Sequence, residues 1–179
     1  MTDAIFEKAV RLLDEGSFSA MGDLMAGERG FETGIAKWHN EGRFAEQPEM
    51  LDEALTCAAF LGYTGAVGFL LDKGLGPDGG NKTGMNALHW ATNRGNRDAA
   101  LLLVERGADT EFVNMYGGTV LGQVLWSLVN EPRGSHPEIA VDLIEAGAVV
   151  SPGMVDWLKD QPLPEDRKAS ILQALERRI

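Results

Sequence analysis

The sequence predicts an all-α solenoid, a row of stacked helix pairs in place of a central sheet. Three observations predict it. Leu55, Leu88 and Leu121 are evenly spaced, and the interval from Gly74 to Gly107 is the same. The segments between these markers align residue for residue. Ala54-Leu55-Thr56-Cys57-Ala58-Ala59 matches Ala87-Leu88-His89-Trp90-Ala91-Thr92, and Leu70-Leu71-Asp72-Lys73-Gly74 matches Leu103-Val104-Glu105-Arg106-Gly107. Within each period, apolar residues fall at helical spacing and glycines punctuate them. A unit of about 33 residues cannot bury its apolar face alone, so neighbouring units must supply the core.

The elements follow in order. Ile5, Phe6, Ala9, Leu12 and Leu13 lie on one face of a first helix over 4–14 that Gly16 terminates. Ser17 or Ser19 caps a second helix over 18–27 carrying Ala20, Met21, Leu24 and Met25. Residues 4–28 thus read as an N-terminal capping repeat, with Glu7, Lys8, Arg11, Asp14 and Glu15 on its polar outer face. The interval from Gly16 to Gly62 is much longer than the period, so residues 29–49, with Trp38, His39, Arg43 and Phe44, are expected to form a long functional loop. Repeat one spans 50–80, with helices over 53–61 and 65–73. Repeat two spans 81–113, with helices over 86–93 and 97–106. Repeat three spans 114–150, with helices over 119–129 and 137–146. The interval from Gly107 to Gly147 also exceeds the period, which places seven inserted residues near 130–136, where Pro132 and Pro137 extend the inter-helix loop. Ser151-Pro152 opens a short helix through Leu158, and Glu165 to Arg178 forms a last helix burying Ile171, Leu172 and Leu175. Residues 151–179 are a C-terminal helical cap, and 1–179 is a single domain.

The register resembles the ankyrin repeat. Asn81-Lys82-Thr83-Gly84 matches its hairpin tip and Asn86-Ala87-Leu88-His89-Trp90-Ala91 its T-P-L-H-x-A motif. Gly95-Asn96 marks the inter-helix turn, and Gly107-Ala108-Asp109 closes the unit. The resemblance implies an ankyrin-repeat solenoid of about four stacked helix pairs joined by short hairpins. It implies that His89 ties neighbouring backbone together, and that partners touch the hairpin tips and the exposed side of each first helix. The tips are Lys82, Thr83 and Met85, then Met115, Tyr116 and Gly118. The helix-face positions are Phe60 and Leu61, Asn93 and Arg94, Trp126 and Ser127. The expected partner-binding set is Lys82, Thr83, Met85, Asn93, Arg94, Met115, Tyr116 and Trp126, rich in residue types that dominate interface cores. Repeat three departs most from the pattern, with Val120, Gly122 and Leu128 at the motif proline, histidine and turn glycine. Repeat one carries Thr56 at the histidine position.

Chemistry is sparse. Gly74-Leu75-Gly76-Pro77-Asp78-Gly79 spells a dinucleotide-loop string, but a helix precedes it and Pro77 interrupts it, whereas that loop needs a strand before and a helix opening within. Gly76 to Thr83 misses a phosphate loop by having Asn81 at its second glycine. Asn81-Lys82-Thr83 is also a glycosylation sequon, without meaning in a cytoplasmic protein. His39 and His136 are expected in loops, and no His or Cys pair has metal-ligand spacing. Cys57 is the only cysteine, read as a small buried hydrophobe, and a cytoplasmic location is expected. The acid pairs Asp14-Glu15, Asp52-Glu53 and Glu165-Asp166 are adjacent and do not share a helix face. No catalytic, metal or cofactor residues are expected, and the protein is read as not an enzyme.

The net charge of −11 is unevenly placed. Residues 1–53 hold 12 acids and 5 bases, a balance of −7, residues 54–113 balance to −1, residues 114–158 to −4 and the remainder to +1. Such a chain repels nucleic-acid phosphates and anionic membranes. No apolar run reaches the roughly 18 residues of a membrane helix, and the start lacks a secretory signal. The expected function is a monomeric, non-catalytic scaffold that binds a basic protein partner through its concave face, as adaptor, regulator or immunity-type inhibitor. The alternative is an enzyme or small-ligand binder with a pocket under the 29–49 loop.

Overall fold

Small residues at matching positions set the architecture. Ala54, Ala58 and Ala59 on one helix face Ala87 and Ala91 on the next, and all are at most 1% exposed, so the two backbones approach closely. The computed structural model describes residues 3–80 and 82–179. Asn81, expected at the head of the repeat-two tip and in the sequon, lies outside the described residues. The helices are α1 (Asp3–Asp14), α2 (Phe18–Met25), α3 (Glu28–Asn40), α4 (Glu49–Leu61), α5 (Thr64–Asp72), α6 (Ala87–Asn93), α7 (Arg97–Glu105), α8 (Val120–Asn130), α9 (His136–Glu145), α10 (Pro152–Lys159) and α11 (Glu165–Glu176). Among the described residues there is no β-strand, and no helix is long and apolar enough to cross a membrane.

Helices α4, α6 and α8 pack in succession as an inner row, while α3, α5, α7, α9 and α11 form the outer row. The same turn closes the first helix of three pairs. Gly62 and Gly95 adopt φ of +75° and +74°, and the next N–H reaches back to the last helical turn, Tyr63 N to Ala58 O at 2.9 Å and Asn96 N to Ala91 O at 2.8 Å. Gly16 makes the equivalent bond through Ser17 N to Leu12 O at 2.8 Å. Side chains staple one repeat to the next at this level. The Asn96 amide donates to Ala59 O and Phe60 O at 2.9 and 3.0 Å, adding to the Gly62 N–H that already reaches Ala59 O at the end of α4. The Glu28 carboxylate accepts from Gly65 N and Ala66 N at 2.6 and 3.3 Å, capping α5 from the neighbouring α3.

Three expectations are corrected. Residues 29–49 are not a loop, because Glu28–Asn40 is a helix whose Phe31, Ile35 and Trp38 are fully buried. These residues lie four and three apart, on one helical face. The N-terminal cap is therefore a three-helix unit. Its α3 extends the outer row, while α1 and α2 both pack on α4, and Phe6 stacks edge-on against Trp38 and Phe44 at 5.2 and 5.3 Å. The connections between repeats are turns and not strand-paired hairpins. In the repeat-three tip Asn114 N donates to Gly118 O at 3.0 Å, and one bond, Met115 N to Gly84 O at 2.9 Å, joins it to the preceding tip. Finally, Ile171 and Leu175 of α11 are fully buried, but Leu172 is only half-buried.

The insertion lies where the prolines predict, between the end of α8 and the start of α9. His136 nevertheless belongs to α9 and is fully buried. Its Nδ1 accepts from Arg133 N at 3.2 Å and its Nε2–H donates to Asn93 O at 3.0 Å, while Ser135 Oγ donates to Gly95 O at 2.6 Å. The inserted loop is thereby pinned to the base of repeat two. His39 likewise lies on α3, with its Nδ1 buried and without a hydrogen-bond partner among the described residues.

Candidate functional site

The T-P-L-H-x-A segment builds the inner row. Asn86 caps α6 by accepting from His89 N at 3.0 Å, and the same oxygen lies 2.8 Å from His89 Nδ1. His89 Nε2 lies 3.4 Å from Gly118 O of the next repeat. The ring is fully buried, and burial pushes His89 below the usual histidine range, the Gly118 carbonyl opposing it. It is a tie between repeats, with no free nitrogen facing a ligand. Thr119 caps α8 in the same way, accepting from Gly122 N at 3.3 Å.

Fully buried Cys57 donates its S–H toward Phe18 O at 3.8 Å, and burial drives its thiol well above the ordinary cysteine range, with the charge of Glu53 adding to it. A reactive cysteine needs the opposite environment. Among the described residues no His, Cys, Asp and Glu cluster has metal-holding geometry. Residues 28–114 match the family model for ankyrin repeats in 3 copies. Residues 28–114 are an ankyrin-repeat array. The match covers α3 to α7 and the start of the repeat-three tip; it leaves out α1, α2 and α8 to α11. No curated protein matches the chain significantly.

Five of the eight expected contact residues of the ankyrin array are engaged within the molecule. The Lys82 ammonium is ion-paired with Asp14. Thr83 Oγ1 accepts from Trp90 Nε1 at 2.8 Å. Met85 is buried, at 5% exposure. Asn93 is 7% exposed, and its amide donates to Ser127 Oγ at 3.1 Å and Glu131 Oε2 at 3.3 Å. The Arg94 guanidinium is exposed but lies over the Phe60 ring at 4.7 Å.

The cause is α2. Phe18 packs edge-on against Phe60 at 5.5 Å and Trp90 at 6.3 Å, and those two rings meet at 5.2 Å. Phe18 therefore bridges the inner helices of repeats one and two, and the α1–α2 corner meets the repeat-two tip at Asp14, Gly16, Lys82 and Thr83. The N-terminal unit thus covers, over this half of the array, the side on which the resemblance places a partner. An open cleft of about 510 Å³ remains where α2 leaves it, bounded by Ser19, Asp23, Phe60, Tyr63, Arg94 and Asn96. No residue of 29–49 lines this cleft. The pocket expected under that segment is replaced by the filled core around Phe31, Ile35 and Trp38.

The other three residues are open. Met115, Tyr116 and Trp126 are 65%, 79% and 48% exposed. The first two sit on a tip that the Asn114 side chain rigidifies, its Oδ1 accepting from Tyr116 N and Gly118 N at 2.9 and 3.0 Å. Trp126 lies near the end of α8, where the Asn130 amide donates to its carbonyl at 2.9 Å. Sequence reasoning missed Glu131. It caps α8 through its own N–H to Ser127 O at 2.8 Å, and its exposed carboxylate is held by the Asn93 amide. The residue belongs to the insertion and has no counterpart in the repeat register, so periodicity gave no signal for it.

Proposed function

We propose that this ankyrin-repeat protein is a non-catalytic, monomeric, cytoplasmic scaffold that binds a basic protein, as an adaptor, a regulator or an inhibitor. Ankyrin repeats are in general protein–protein interaction modules, and the repeats supply the class. The observation that carries the reading is the exposure of Met115, Tyr116 and Trp126 together at the family's contact positions; the other exposed large apolar side chains, Val113, Val149, Trp157 and Ile179, lie outside those positions. Sequence balances of −7 over residues 1–53 and −4 over 114–158 supply a field that attracts a basic partner and repels nucleic acid.

The interface runs over repeat three and not the whole concave side, because α2 covers Phe60 and Trp90. The test is affinity capture with the wild-type protein and with Trp126→Ala and Tyr116→Ala, followed by binding measurements on each captured protein. Each aromatic substitution is expected to weaken binding by about 2 kcal/mol or more, the threshold of a hot spot. A partner that binds both variants as tightly as wild type places the interface elsewhere.

A further inference from the structure

The open surface of repeat three contains more than apolar side chains. Glu131 stands at the end of α8, just beyond Trp126, and Ser127 lies between them. The amide of Asn93, on the neighbouring inner helix, donates to both Ser127 Oγ and Glu131 Oε2 at 3.1 and 3.3 Å. That arrangement directs the Glu131 carboxylate toward Asn93, which holds in repeat two the register position that Trp126 holds in repeat three. Asn93 occupies only one carboxylate oxygen, and Glu131 forms no ion pair among the described residues. The nearby His136, which would otherwise offer a cation, is held neutral chiefly by burial, with its Nδ1 accepting a backbone N–H.

An exposed indole in the last turns of a helix and an oriented carboxylate without an ion-pair partner at its C-terminal end are the chemistry that receives a cationic side chain. The ring face attracts the cation through its quadrupole, and the carboxylate accepts charge-assisted hydrogen bonds, which a planar guanidinium makes best. We infer that Glu131, positioned by Asn93, and Trp126 together form a subsite for an arginine side chain of the protein partner, with Met115 and Tyr116 flanking it as apolar contacts. This rests on the reading of repeat three as the binding surface. It adds which side chain of the partner is recognised and which residue of this chain recognises it.

The test uses a random twelve-residue peptide display library selected against the intact protein, with selected sequences remade as free peptides. Arginine-bearing sequences with an apolar neighbour are expected to be enriched. Replacing that arginine by citrulline, which keeps shape and loses charge, should weaken binding at least tenfold. Glu131→Gln retains an oxygen for Asn93 and should leave the melting temperature unchanged, yet it should weaken the arginine peptide at least tenfold and leave the citrulline peptide unaffected. Trp126→Ala should weaken the arginine peptide as well.

Selected peptides that lose binding on Trp126→Ala but not on Glu131→Gln would sink the arginine subsite while leaving the binding surface of repeat three intact. Peptides indifferent to Trp126→Ala, or a library that yields no binder, would remove the surface itself. Self-association of the protein that Trp126→Ala abolishes would assign the surface to a second copy of this chain and overturn the inference.

Discussion

Gly95 and Gly107 are two glycines in the same repeat with left-handed backbone, φ +74° and +87°, and opposite surroundings. A Cβ at Gly107 meets nothing within 4 Å, whereas one at Gly95 comes within 2.7 Å of Ser135 Oγ and 2.9 Å of Arg133 Cβ. Gly107→Ala therefore carries only the backbone cost of an L-residue in that region, about 1–2 kcal/mol. Gly95→Ala carries the same cost plus displacement of the inserted loop, an overpacking cost of about 1–3 kcal/mol. It also strains the Ser135-to-Gly95 bond of 2.6 Å and the adjoining His136-to-Asn93 bond of 3.0 Å. The expected totals are about 1–2 kcal/mol for Gly107→Ala and about 2–5 kcal/mol for Gly95→Ala. Urea titration followed by far-ultraviolet circular dichroism and by tryptophan fluorescence measures both. Equal destabilisation by the two substitutions would refute the claim that the insertion is pinned to repeat two.

Further outcomes follow from the same structure. Leu88→Ala should cost about 2–5 kcal/mol in the same titration, since it empties a fully buried position between inner helices. His89→Ala should cost roughly 1–3 kcal/mol, because it removes a fully buried ring that lies between Asn86 and the Gly118 carbonyl of the next repeat and takes its one N–H hydrogen bond with it. A His89→Ala protein that melts like wild type would remove this histidine's structural role. Burial lowers both His89 and His136 below their ordinary value of 6.5, so their contribution to stability is complete above that pH and is lost as pH falls through it, because the unfolded chain takes up the protons first. Asp52, Glu53 and Asp78, all raised by burial, act with the opposite sign at lower pH. The histidine effect is therefore read as the difference between wild type and His136→Gln, whose melting temperature should fall less between pH 7 and pH 5.5; identical slopes would contradict it. Charge steering should appear in the association rate, slowed by neutralising acids in residues 41–53 and weakened by salt, with dissociation nearly unchanged.

The repeats were legible because their signal is local and periodic. Leu55, Leu88 and Leu121 with the turn glycines place α4 through α9 within a few residues. Helix α3 was equally local, since Phe31, Ile35 and Trp38 mark one helical face, but residues 29–49 fall outside the period and include Gly30 and Gly34, so length arithmetic outweighed the pattern. The engagement of Lys82, Thr83 and Arg94 was not legible. It depends on Phe18 packing on Phe60 and Trp90, contacts between segments far apart in the chain that no spacing encodes. The role of Asn93 as a positioning group was hidden for the same reason, because its partners Ser127 and Glu131 lie a full repeat away.

Hydrogen exchange on the free protein and on its complex with the captured partner distinguishes binding by the open half of the concave face from binding by the half under α2. Contact through the open half gives new protection confined to the 114–118 tip and the 123–131 end of α8, with unchanged exchange in α2 and at 60–64. Protection centred on α2, on 60–64 or on the outer helices, with the repeat-three tip unaffected, would contradict it.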